Sequence, residues 1–108
     1  MIGGACIAAN TFAADSVDAS QLIGKWCYFE HDYYGIEPES VNIEILADAN
    51  YTYVKGSWDF SGTWSLEGDV LAFSESSVGT HKVVTATDEL IELEGDYGVM
   101  RLKPDFCS

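Results

Sequence analysis

Basic residues are scarce in this chain: five Lys and Arg stand against eighteen Asp and Glu, a formal charge of −13 over 108 residues. So negative a surface repels phosphate backbones and anionic headgroups and forfeits counterion release, which argues against nucleic acid and membrane surfaces as partners. Histidine and cysteine are few as well, at two and three, with neither paired histidines nor Cys-x-x-Cys spacing, so no designed metal site is written here. No Ser-His-Asp set, glycine-rich phosphate loop or nucleophile elbow can be assembled. The expectation is therefore binding rather than catalysis, not an enzyme, with no cofactor implied. Beyond the first fourteen residues no stretch has the apolar length that spans a bilayer as a helix. Heptads, internal repeats and linkers are missing too, which leaves one domain with one core.

What the chain does contain is strand rhythm. Phe60, Gly62, Trp64 and Leu66 alternate with Ser61, Thr63, Ser65 and Glu67, a period of two that buries one face and wets the other. Glu67-Gly68-Asp69 reverses the chain, with Gly68 free to take positive φ, and Val70 to Phe73 returns as the partner strand. Upstream, Leu22 to Glu30 is rich in aromatic and apolar residues, after a polar leader from Asp15 to Gln21 suited to one short helical turn that caps one end. Val41, Ile43 and Ile45 alternate with Asn42 and Glu44, and Asp48-Ala49-Asn50 turns the chain into Tyr51 to Lys55. Thr80 to Ala86, Leu90 to Gly95 and Tyr97 to Lys103 complete seven or eight strands.

Between the first two strands, His31 to Ser40 holds Gly35 and Pro38 and breaks the alternation, which predicts a loop. Tyr33 and Tyr34 make it unusually aromatic, suited to a lid over a barrel mouth, to a partner contact, or simply to folding back on the barrel end. His31 is expected to be a solvated loop histidine. Trp58, in the Gly56 to Asp59 connection, is expected partly exposed at the same rim. Glu92, Glu94 and Asp96, again at period two, read as an outer face.

Gly24-Lys25-Trp26 at the start of the first strand, followed by a meander of short antiparallel strands, resembles the lipocalin-like and wider calycin barrels. The resemblance implies an all-β, antiparallel up-and-down meander closed into a small barrel. It also implies that Trp26 packs across the closed end with Arg101, the only arginine, lying over it from the last strand. Met100 and Leu102 compete with Arg101 for the inner face, so a solvent-facing arginine is the alternative. Trp26, Trp64, Leu66, Phe73, Ile91 and Leu93 are the expected core.

MIGGACIAANTFAA is uncharged and mostly small or apolar, and it resembles the back half of a signal peptide cut after Ala13. Without a basic n-region, either the true start lies upstream or this is an apolar terminus. Residues 1–13 are thus expected to be a signal-peptide remnant and 14–108 the barrel, periplasmic or secreted and a monomer. Cys6 lacks the aliphatic residue expected three places before an acylated cysteine, which is Gly3 here. Cleavage removes Cys6 and leaves Cys27 on the first strand and Cys107 past the last. A closed meander makes those strands neighbours, which predicts a disulfide; the alternative is a buried free thiol and a frayed terminal one. The expected function is binding of a small apolar or aromatic ligand through Tyr33, Tyr34, Trp58, Trp64 and Phe73, with Leu66, Ile91 and Leu93 as further walls. The alternative is a filled barrel whose loops engage a protein.

Overall fold

Alternation along the chain resolves into eight antiparallel strands, because each apolar face needs a partner and the connecting turns are too short for anything but hairpins. The computed structural model describes residues 17–108. The expected signal-peptide remnant, its cut after Ala13, and Cys6 lie outside the described residues. The strands are β1 (Gly24–Asp32), β2 (Ile36–Ile45), β3 (Asn50–Lys55), β4 (Trp58–Glu67), β5 (Val70–Phe73), β6 (Thr80–Ala86), β7 (Ile91–Gly95) and β8 (Gly98–Pro104). Each pairs with the next and β8 returns to β1, so the sheet closes into an eight-stranded up-and-down barrel.

Up-and-down order puts the turns 33–35, 56–57, 74–79 and 96–97 at one end of the barrel and 46–49, 68–69 and 87–90 at the other. The second end is plugged. A single 3-10 turn at Ala19–Gln21, held by a capping box on Asp18, lays Leu22 fully out of solvent beneath Trp26. The Trp26 indole donates to the Leu22 carbonyl at 2.8 Å, Val17 N–H donates to Gly68 O at 3.1 Å, and Gln21 Nε2 donates to Ala86 O at 3.1 Å. Above the plug, Val41, Ile43, Ile45, Leu71, Ile91, Leu93 and Leu102 are sealed from water. An eight-stranded barrel is only wide enough for its own side chains at this level, and truncating any one of these leucines to alanine removes about 2–5 kcal/mol. Of the expected core, Trp26, Phe73, Ile91 and Leu93 are buried, while Trp64 and Leu66 are half-buried and packed against it.

Cys27 and Cys107 form the disulfide, with their α-carbons 4.8 Å apart. The tail that brings Cys107 there is itself anchored, since Cys107 N–H donates to Asn42 Oδ1 at 2.7 Å and Asp105 N–H to Lys25 O at 2.8 Å. The expected loop from His31 to Ser40 is corrected. Strand β1 runs on to Asp32, β2 begins at Ile36, and only 33–35 turn. The alternation fails at His31 because the register slips between Tyr28 and Glu30, a bulge at Phe29. Pro38 is accommodated because β2 pairs with β3 only from Asn42 onward, which leaves its upper half as an edge where a missing N–H costs nothing.

Arg101 does not lie over Trp26. Met100 and Leu102 take the inner face of β8, so period two turns Arg101 outward. There its guanidinium donates to Glu30 at 2.7 Å, to Glu92 at 2.8 Å and to Asp32 at 3.4 Å. These ion pairs link β1, β8 and β7 from outside.

Candidate functional site

The bulge that lengthens β1 also re-aims it. Trp26 and Tyr28 face inward, and strict alternation would send Glu30 in and His31 out. One extra residue at Phe29 reverses this: Glu30 joins Arg101 outside, while His31 pairs with the inward Met100. His31 is thus a half-buried wall residue rather than the solvated loop histidine expected.

It helps to line a cavity of about 370 Å³ at the open end of the barrel, near the lower bound of roughly 300 Å³ for small-molecule pockets. Strand β1 contributes Tyr28 and His31, β3 contributes Tyr53, and β8 contributes Met100. The remaining wall is 76–81, which includes His81, together with the turn at Asp96, Tyr97 and Gly98. The buried core described above is its floor.

Hydrogen bonds set the state of both histidines. His31 Nε2 lies 2.6 Å from the Tyr97 carbonyl, which only accepts, so this nitrogen carries the proton. In the neutral ring Nδ1 is then bare and accepts the Tyr28 O–H at 2.7 Å. His81 Nε2 donates in the same way to Val78 O at 2.7 Å, and its Nδ1 has no hydrogen-bond partner among the described residues. Burial lowers the His81 pKa, and its side chain fits only because Gly95 beside it has no Cβ. Tyr28 is pushed up by burial and, secondarily, by the Glu39 carboxylate. Tyr53 is raised by the same two causes in the same order. A phenol raised in this way stays protonated, the opposite of an activated nucleophile. Among the described residues no three His, Cys, Asp or Glu side chains gather closely enough to hold a metal ion.

The candidate residues read from the sequence distribute around this cavity rather than in it. Tyr33 and Tyr34 lie against each other with tilted rings at 4.5 Å, and Tyr33 meets Tyr97 edge-on at 6.2 Å, at the open rim. Tyr34 is 95% exposed and Tyr33 is 47% exposed. Trp58 is exposed at the same end in a second group, 6.0 Å from Tyr53 and 5.5 Å from Phe60. Trp64 belongs to the closed end, where its indole donates to Leu46 O at 2.9 Å. Phe73 is buried against Tyr51 at 4.8 Å and His81 at 6.4 Å, outside the lining. Sequence reasoning missed Tyr28, His31, Tyr53, His81 and the cavity face of Asp96. The two inward tyrosines were legible from alternation alone. Glu92 and Glu94 do face outward, whereas Asp96 sits in the turn and lines the mouth.

No protein-family model and no curated protein matches the sequence. Solved structures do match the fold. A lipocalin-like protein from Bacteroides uniformis superposes with a TM-score of 0.67 at 20% identity, covering 78% of this chain and 98% of that one. An uncharacterized protein from Bacteroides eggerthii gives a TM-score of 0.63 at 15% identity, covering 76% and 98%. With the closed eight-stranded meander, these establish a lipocalin-like fold for this chain.

Proposed function

We propose that this protein is a small exported binding protein that takes a small apolar or aromatic ligand into the open end of its barrel, without catalysing a reaction. The observation that carries this is the partition of the interior: the lower half is filled by sealed aliphatic side chains, while the upper half keeps about 370 Å³ walled by tyrosine, methionine and histidine. Such a cavity is concave and mostly apolar, with a few oriented polar groups, as ligand sites are. The lipocalin-like fold supports the reading by analogy of architecture. Export to an oxidising compartment is supported by the Cys27 to Cys107 bridge. Tyr33, Tyr34 and Trp58 serve here as rim residues that a ligand passes, and Trp64 and Phe73 as support for the walls.

Mass spectrometry of small molecules released from purified protein, together with thermal shifts over a lipid and aromatic panel, tests it. Binding should disappear when Met100→Trp fills the cavity, while the barrel stays folded by circular dichroism. Ligands held equally well by the filled variant would refute the site.

A protein partner is the second reading, favoured by the exposure of Tyr34 at 95%, Tyr97 at 74% and Ile36 at 63% on one tip. If that tip docks a protein, replacing Tyr33 and Tyr34 with serine abolishes complex formation and leaves the melting temperature nearly unchanged.

A further inference from the structure

We infer that the molecule held in this cavity is an organic cation, an arylalkyl ammonium rather than a carboxylate or a phosphate; the inference rests on the reading of the cavity as a ligand site. The lining contains no lysine or arginine. Each of the five basic residues is engaged outside it. Arg101 is held by three carboxylates on the outer face, Lys82 by Asp69 at 3.9 Å, and Lys55 by Glu39 at 3.5 Å. Lys25 lies over Phe106 and Lys103 over Phe29. The charged side chain in the wall is Asp96, at the mouth, and the Glu39 carboxylate stands behind Tyr28 and Tyr53, close enough to act on both phenols.

The hydrogen-bond inventory points the same way. The Tyr97 and Val78 carbonyls place a proton on the ε nitrogens of His31 and His81. The His31 δ nitrogen is occupied by the Tyr28 hydroxyl, whose oxygen keeps a lone pair for a further donor. The δ nitrogen of His81 is sealed against Gly95 and does not face the cavity. Among the described residues, then, the wall presents aromatic side chains and no fixed cation to an incoming anion. A carboxylate would lose its hydration beside Asp96, with no cation in the wall to replace it. An ammonium gains the Asp96 counter-charge and the faces of Tyr28, Tyr53 and Tyr97.

Calorimetric titration of the full chain with three probes of similar size, phenethylammonium, hydrocinnamate and phenethyl alcohol, decides the matter. Phenethylammonium should bind at least about tenfold more tightly than either of the others, and its affinity should fall as salt rises. Asp96→Asn, an exposed turn position, should weaken the ammonium about five- to tenfold and leave the alcohol unchanged. Hydrocinnamate or the alcohol binding as well as the ammonium, or an unchanged affinity in Asp96→Asn, would overturn the cationic assignment and leave the cavity reading standing. If none of the three binds, and Met100→Trp changes nothing, both readings fail together.

Discussion

At the scale of single residues, the buried His81 is the clearest liability and so the clearest test. Burial holds its imidazole below the ordinary value of 6.5, so the folded protein keeps it neutral where the unfolded chain already takes a proton. Stability from this group is therefore complete above about pH 6.5 and is lost as pH falls from there toward the folded pKa. The Asp96 carboxylate opposes that shift and His31 adds to it. Urea midpoints should drop between pH 8 and pH 5, and His81→Phe should flatten that drop; an equal drop in the variant would place its cause elsewhere. Tyr34 is a second test, with φ at +57° and almost no buried surface. A left-handed backbone costs a non-glycine residue about 1–2 kcal/mol, so Tyr34→Gly should hold or slightly raise the melting temperature. Tyr34→Val, β-branched in the same conformation, should lower it.

Among elements, the clamp around Arg101 joins three strands that the bulge brings into line. Glu30 from β1 and Glu92 from β7 flank Arg101 on β8, and Thr85 donates its hydroxyl to Glu92 at 2.6 Å. The hydrogen bond from Arg101, with that from Thr85, holds the Glu92 carboxyl below its ordinary value of 4.5. The matching stability is present above about pH 4.5 and disappears as pH falls through the depressed value. Arg101→Met leaves three carboxylates facing one another on a partly solvated surface. Exposed pairs are each worth about 0.2–1 kcal/mol, so the loss should be on the order of 1–2 kcal/mol and should shrink as salt screens the repulsion. Chemical denaturation at low and high salt measures it, and a loss independent of salt would argue for packing instead.

For the whole molecule, closure is the decisive event, and it depends on the first strand meeting the last. The disulfide ties that seam with a sequence separation of 80 residues. In the chain-entropy model so long a loop is worth on the order of 4 kcal/mol, an upper figure and still a large part of what a domain this small possesses. The Cys27→Ser and Cys107→Ser double variant should therefore melt well below the parent at every pH. Equal melting temperatures with and without reductant would show that β1 and β8 hold the barrel shut by their ladder alone.

Sequence by itself determined the class, the meander order, most strand positions and the Cys27 to Cys107 pairing. Period-two alternation, short turns and the adjacency of first and last strands are local or topological constraints that leave few alternatives. It also determined which side of most strands faces inward, as with Leu93 against Glu92 and Glu94. Only the tertiary structure decided the site. A single bulged residue at Phe29 has no signature in the pattern, yet it exchanges Glu30 for His31 on the inner face and converts an apparent loop into strand. Arg101 faces outward by period two on β8, but the carboxylates it meets there, Glu30 and Asp32 among them, depend on the bulge. Where a cavity opens depends on the volumes of side chains from four strands and two turns at one height in the barrel. That is a sum over residues far apart in the chain, and no window along the sequence contains it.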